Sequence, residues 1–183
     1  MNKEINKRLE NYNKIKTPLE LSSYMKDNIK YQWMDQNGLF HTEMDYNMYT
    51  NYSLMTPVEV VENSSGICVD QAELEREWFD IHNYQYEVLN IQIFREDSAP
   101  GHIFLIYFED NKWNWFENAW GKYKGIHSYS SKENLFKDIK DKFIIQENIT
   151  FDEISNIIIE DFPKYPYHIS YEQMDNYDFN KSK

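Results

Sequence analysis

The segment SSGICVDQAELEREW, residues 64–78, contains the only cysteine of this 183-residue chain. A cysteine acts as a nucleophile in its thiolate form, and the free thiol has a pKa of about 8.5. The positive end of a helix dipole or a neighbouring imidazolium lowers that pKa. Gly66 permits a tight approach of the backbone, and the run with helical character that follows places Cys68 in a first helical turn. The pattern therefore predicts a thiolate at the start of a helix.

A thiolate of this kind needs a histidine, and His102 is the candidate because it opens a predicted strand directly after a Pro-Gly pair. A histidine that acts as a base is oriented by a third group on its other nitrogen. Pairing of Glu109 with Lys112 across the next turn would set the register of the two strands. In that register Glu117 is a diagonal neighbour of His102 on one face, and such pairs lie about 7–8 Å apart at the backbone. Asn118 points to the opposite face, so Glu117 is predicted as the third residue and Asn118 is the alternative.

Together these segments resemble the transglutaminase-like superfamily. GICVDQA at 66–72 is similar to the nucleophile segment of the family, and the Gly-His pair at 101–102 is similar to its histidine segment. Trp113 followed by ENAW at 117–120 is similar to its third segment. The resemblance spans roughly residues 17–130. It implies a papain-like core with the cysteine at a helix N-terminus and the histidine and the acid on adjacent strands.

Two positions depart from the family pattern. Glu117 stands where the family usually has aspartate, and Asn118 stands where it usually has proline. Glutamate is one methylene longer but can still accept the imidazole N–H. Asparagine can also orient a histidine, as in a papain-like Cys-His-Asn arrangement, so Asn118 remains the second possibility for the third residue.

The resemblance implies acyl chemistry on an amide through a thioester on Cys68. Water as the second reactant would give a protease, amidase or deamidase, and an amine would give a transglutaminase; the sequence does not choose between them. This chemistry requires no metal and no organic cofactor. The Cys68 backbone N–H is the first oxyanion donor to expect. The family often recruits a further donor upstream of the nucleophile, for which the candidates are Tyr31, Gln32 and Trp33.

Two other interpretations of the same residues stay open. A lone intracellular cysteine is more often a small buried residue than a nucleophile. The joint occurrence of a Gly-Cys helix start, a Gly-His strand start and a carboxylate 15 residues later favours the catalytic interpretation, because core packing does not require it. A catalytically inactive protein that binds a peptide or a protein is the alternative function, and an unrelated α+β domain is the alternative fold.

The periodicity along the chain predicts an α+β domain with helices first and an antiparallel sheet after them. Thr-x-x-Glu capping boxes predict helices over 18–30, 57–63 and 151–160, and a further helix should run from Cys68 to the His82-Asn83 turn. Helical spacing returns at 131–143. Strands are expected over 86–94, 102–108 and 112–118, with a final edge strand in PKYPYHISY at 163–171 and a frayed tail at FNKSK. The whole chain, 1–183, is predicted to be a single transglutaminase-like domain whose best-matching core is 56–130.

The composition restricts the partners. The formal net charge of −12 disfavours nucleic acid and anionic membrane surfaces. A single cysteine cannot form an internal disulfide, the first residues contain no apolar signal region, and no run of 18 apolar residues occurs. These features predict a cytoplasmic protein. The implied chemistry predicts a peptide or protein substrate, whereas the oligomeric state is not indicated.

Overall fold

The computed structural model describes residues 3–180. Helices and strands follow one another in a mixed order along the chain. The described residues contain seven α-helices and seven strands. The helices are α1 Lys3–Tyr12, α2 Pro18–Asn28, α3 Met48–Asn51, α4 Pro57–Asn63, α5 Cys68–Ile81, α6 Lys132–Gln146 and α7 Tyr171–Asp175. The strands are β1 Trp33–Met34, β2 Phe40–His41, β3 Gln85–Phe94, β4 Gly101–Glu109, β5 Lys112–Glu117, β6 Gly125–Tyr129 and β7 Asn156–Asp161.

The centre of the fold is a five-stranded antiparallel sheet with the strand order β6-β5-β4-β3-β7. Glu109 pairs with Lys112, and the same register continues along the ladder to Leu105 opposite Phe116, which confirms the predicted pairing. Asp110 and Asn111 form the turn and both have positive φ, as a two-residue hairpin turn requires. The register that aligns β4 with β5 is therefore fixed locally.

Helices cover both faces of this sheet. On one face α2, α4 and α5 pack against β3, β4 and β5 in a cluster that includes Trp78, Phe79 and Leu105. On the other face α6 packs through Leu135, Ile139 and Phe143. Successive side chains of a strand point to opposite faces of the sheet, so each strand contributes residues to both clusters. This is the α+β architecture that the sequence predicts.

Capping boxes fix the predicted starts of α2 and α4. The Thr56 hydroxyl accepts the Glu59 N–H at 3.2 Å while the Glu59 carboxylate accepts the Thr56 N–H at 2.8 Å. Thr17 and Glu20 make the same pair of bonds at α2. Each pair satisfies donors that a helix start leaves free.

The prediction of a helix over 151–160 is wrong. The capping box at Thr150 does form, with the Glu153 carboxylate accepting the Thr150 N–H at 2.7 Å. It is followed by only one 3₁₀ turn, Phe151–Glu153, and then by β7, which pairs with β3 as an edge strand. Three consecutive isoleucines in β7 favour a strand, and the open edge of β3 supplies the hydrogen-bond partners.

The edge strand predicted in PKYPYHISY is also wrong. Residues 163–170 form an irregular segment, in which two prolines lack the N–H that a ladder needs. Ser170 then caps α7 by accepting the Gln173 N–H at 3.2 Å. Of the predicted tail, residues 179–180 lie at the end of the described chain and 181–183 lie outside it.

Candidate active site

The start of α5 is built so that Cys68 is its first residue. The Asp70 carboxylate accepts the Ile67 N–H at 3.0 Å, and the Gln71 side-chain amide donates to the Gly66 carbonyl at 2.7 Å. A Cβ on Gly66 would lie 2.9 Å from the Cβ of Asp70, closer than side chains approach. Glycine is therefore required at this position for the chain to enter the helix at Cys68.

Asp70 also ties the start of α5 to the segment that precedes α4. Its second oxygen accepts the Tyr52 hydroxyl at 2.6 Å and the Met55 N–H at 3.0 Å. Burial raises the pKa of Asp70 to about 7, even though these donors act to lower it. The carboxyl group is thus a buried anchor that fixes the position of the cysteine.

His102 lies at the start of β4 with only 2% of its surface exposed. Its Nε2 is 2.8 Å from the Glu117 Oε2. The imidazole ring stacks on Trp120 with centroids 4.0 Å apart and an interplanar angle of 16°. Because Nε2 is engaged by Glu117, Nδ1 is left for the hydrogen bond that the ring makes with Cys68.

Glu117, at the end of β5, is held by more than the histidine. Its Oε1 accepts the backbone N–H groups of Ala119 at 2.7 Å and Trp120 at 2.8 Å. The side chain is buried. One oxygen is therefore dedicated to the backbone and the other to His102, so the carboxylate cannot rotate without losing bonds at both ends.

The electrostatics of the site favour a thiolate and an imidazolium. Burial acts to raise the pKa of the Cys68 thiol, but hydrogen bonds from His102, the Ile103 backbone and Tyr31 bring it below its usual value. Burial acts to lower the pKa of His102, yet the charge of Glu117 and the hydrogen bonds with Cys68 and Glu117 raise it to about 10. Both shifts favour the charged pair.

The three candidates for the upstream donor take different positions. The Tyr31 hydroxyl hydrogen-bonds with Cys68, and burial beside the sulfur raises the pKa of Tyr31 although the residue as a whole is 40% exposed. Gln32 instead accepts the Ser65 hydroxyl at 3.1 Å. Trp33 is buried and donates its indole N–H to the Glu43 carbonyl at 2.9 Å. Of the three, Tyr31 is the one brought to the sulfur.

Asn118 is placed away from the imidazole ring. Its amide nitrogen is 3.8 Å from the Met25 sulfur, and the amide also hydrogen-bonds with Glu75. Its Oδ1 is buried with no partner within the described chain. Between the two alternatives for the third residue, the geometry therefore brings Glu117 to His102.

Cys68 is partly exposed and lies in the wall of a cleft of about 640 Å³. The opposite wall comes from the end of β7 and from α7, and aromatic side chains and methionines supply much of the surface. Three carboxylates, Glu160, Asp161 and Asp175, also line it, with no lysine or arginine among the described residues of the wall. The full lining is Tyr31, Met44, Met48, Tyr49, Ile67, Cys68, Asn90, Gln92, Ala99, Gly101, Ile103, Glu160, Asp161, Phe162, Pro163, Tyr165, Tyr171, Met174 and Asp175.

The site contains groups that the sequence analysis did not single out. Tyr171 is close enough to Cys68 for the charge of the thiolate to raise its pKa, although burial contributes more. Glu75 lies behind His102 and Glu117 in the interior. The spacing of seven residues from Cys68 places Glu75 on the same face of α5 and could have identified it. Tyr171 had no such signal, because it reaches the cleft through tertiary packing.

No group of three or more His, Cys, Asp or Glu side chains in the described range, 3–180, could hold a metal ion. No helix in that range has the length and apolar character needed to cross a membrane.

An antiparallel sheet with a cysteine at a helix start and a histidine–carboxylate pair on adjacent strands defines an α+β protein of the transglutaminase-like fold. A sequence-family model described as a transglutaminase-like domain matches residues 1–115, so the chain belongs to that family. The matched range contains Cys68 and His102, whereas Glu117 and Asn118 follow its end. The search of curated proteins gave no match.

Proposed function

We propose that this protein is a cysteine-dependent enzyme that acts on amide bonds of a peptide or protein, with Cys68 as nucleophile, His102 as general acid and base, and Glu117 as the group that orients the histidine. The observation that carries the proposal is the hydrogen-bonded line from the sulfur through the imidazole to Glu117, beside an open cleft. Packing in a hydrophobic core does not explain a lowered thiol pKa at a partly exposed position.

The reaction begins with the attack of the Cys68 thiolate on the carbonyl carbon. The S–C bond forms as the carbonyl electrons move to oxygen, and the backbone N–H of Cys68 donates a hydrogen bond to that oxyanion. The C–N bond then breaks, and the departing nitrogen takes the proton of the His102 imidazolium. A thioester remains. Water or an amine then attacks its carbonyl carbon while giving a proton to His102, the S–C bond breaks, and the Cys68 thiolate is restored beside the imidazolium.

Glu117 has a positioning role in this scheme. It accepts the imidazole N–H at Nε2, which directs Nδ1 toward the sulfur and stabilises the imidazolium. The ring of Trp120 covers the histidine and keeps water from the Glu117–His102 bond. The buried carboxylate thereby supports the charged pair before substrate binds.

The test of this proposal is the pH dependence of Cys68 alkylation by iodoacetamide. The lowered thiol pKa and a His102 pKa of about 10 imply that the ion pair forms below the pH at which an ordinary thiol ionises and persists to about pH 10. We expect the midpoint of the alkylation profile to lie below pH 8.5, so that alkylation at pH 6.5 is severalfold faster than that of a small thiol with an ordinary pKa. A rate that climbs tenfold per pH unit up to about pH 8.5 would instead identify an ordinary thiol and a protein without this activity.

Tyr31 is proposed as a donor to the sulfur in the resting enzyme and to the oxyanion during the reaction. Tyr31→Phe removes the hydroxyl that stabilises the thiolate, so the thiol pKa should rise and alkylation at pH 6 should slow about tenfold. Tyr46→Phe is the matched control, because Tyr46 is 87% exposed. Equal alkylation rates in the two variants would show that Tyr31 only covers the sulfur.

A further inference from the structure

Glu75 is a buried acid behind the active site that the proposed reaction does not use. It lies two helical turns after Cys68 on the same face of α5, with 3% of its surface exposed. The groups close enough to act on it are Glu117, His102 and Cys68, together with the Asn118 amide, with which it hydrogen-bonds. A carboxyl group buried close to the three residues of the proposed reaction requires a physical explanation.

The two buried carboxyl groups have unequal partners. Glu117 accepts bonds from His102 and from two backbone N–H groups. The hydrogen-bond partner of Glu75 is the neutral side-chain amide of Asn118. Burial, followed by the charge of Glu117, raises the pKa of Glu75 well above its usual value. Burial and the nearby charge thus favour the protonated form of Glu75.

We propose that Glu75 is a positioning residue: its buried carboxyl group holds the side-chain amide of Asn118 and thereby the chain at Glu117, which keeps Glu117 beside His102. This inference rests on the proposed function. Asn118 directly follows Glu117, and its other contact is the sulfur of Met25. Because the Asn118 Oδ1 has no partner in the described chain, loss of Glu75 would leave this amide with little to hold it.

The neutral state matters for the nucleophile. A second negative charge at Glu75 would stabilise the imidazolium but would oppose formation of the thiolate on Cys68. A protonated acid fills the same space and keeps the hydrogen bond to Asn118 without that penalty. Glutamine imitates such a group closely, whereas leucine has similar bulk but no hydrogen-bonding atoms.

The first test is the alkylation profile of Cys68 in Glu75→Gln and Glu75→Leu. We expect the Gln variant to stay within about twofold of the wild-type rate at pH 6.5 and the Leu variant to be about tenfold slower. A Gln variant as slow as the Leu variant would show that Glu75 acts as a charged group. A Leu variant with the wild-type profile would show that Glu75 positions nothing.

The second test measures the proton on Glu75 and does not depend on Cys68 reactivity. An acid whose pKa is raised in the folded state keeps a proton that the unfolded state loses above about pH 4.5, so its presence destabilises the protein increasingly as the pH rises. Glu75→Gln removes this penalty. Its Tm should equal that of the wild type near pH 4.5 and exceed it by about 3 °C or more at pH 8.

Glu133→Gln, at an exposed acid of α6, is the control for this second test. A Tm difference that does not change with pH would mean that Glu75 is ionised in the folded protein and would overturn the inference. If Glu75→Leu does not fold, the two measurements on Glu75→Gln still decide the matter. Failure of the proposed function would be recognised separately, by an ordinary alkylation profile in the wild type.

Discussion

Replacing Cys68 by alanine is expected to abolish covalent labelling of the protein by an acyl-directed electrophile and to reduce amide turnover by a factor of about 10³ or more. The reason is chemical, because the thiolate supplies the bond that becomes the thioester. Cys68 is the only cysteine, so no second thiol can take over or contribute background. Labelling followed by intact-mass measurement would show one adduct in the wild type and none in the variant.

Cys68→Ser is the matched companion of this experiment. Serine keeps the hydroxyl in place of the thiol, but its pKa is too high for the imidazole to hold it as an anion. We expect Cys68→Ser to fold with an unchanged Tm and to label at the level of the alanine variant. Labelling that persists in Cys68→Ala would locate the reactive group elsewhere and would end the proposal that this line of residues is an enzyme site.

The position of the three central residues could be predicted because each depends on local sequence. The glycine before Cys68 and the Gly-His pair at β4 are readable signals, and the two-residue turn at 110–111 fixes the alignment of β4 with β5. With that alignment, Glu117 falls beside His102. The distance of 2.8 Å between their side chains is therefore a consequence of turn chemistry some distance away along the chain.

The C-terminal part of the chain shows where such local rules end. The capping box at Thr150 formed as predicted, yet the residues after it became β7 because β3 offered a free edge. A cap satisfies the backbone of one turn, whereas the next ten residues respond to the tertiary partner that is available. The wall of the cleft opposite Cys68 is built from this same part of the chain, so its composition could not be predicted either.

The contacts of Tyr31 and Glu75 could not be predicted for a related reason. Tyr31 reaches the sulfur from outside any helix or strand, and the pKa of Glu75 depends first on burial and then on the charge of Glu117 across a helix–sheet interface. Spacing along α5 can put Glu75 on the face of Cys68, but it cannot show which strand residue lies opposite. Electrostatic roles in this site are therefore properties of the assembled core.

Glu117→Gln is expected to lower both the alkylation rate at pH 6.5 and the turnover, the latter by a factor of about 10³–10⁴. The backbone N–H groups of Ala119 and Trp120 bind one oxygen of residue 117 and would hold the amide oxygen of glutamine there. The amide NH₂ would then face the Nε2 of His102. A nitrogen that accepts this bond carries no proton, so the neutral ring would carry its proton on Nδ1, toward Cys68, where it cannot accept the proton of the thiol.

Glu117→Asp keeps the carboxylate and has the residue type usual in the family. Comparing it with Glu117→Gln therefore separates the orientation of His102 from the simple loss of a negative charge. We expect the Asp variant to retain activity within about 10²-fold of the wild type, since only the reach of the side chain changes. Glu133→Gln removes an exposed acid and serves as the control for net charge. A Glu117→Gln protein that folds and turns over at the wild-type rate would mean that His102 is oriented by another group, and Asn118 would then be the residue to test.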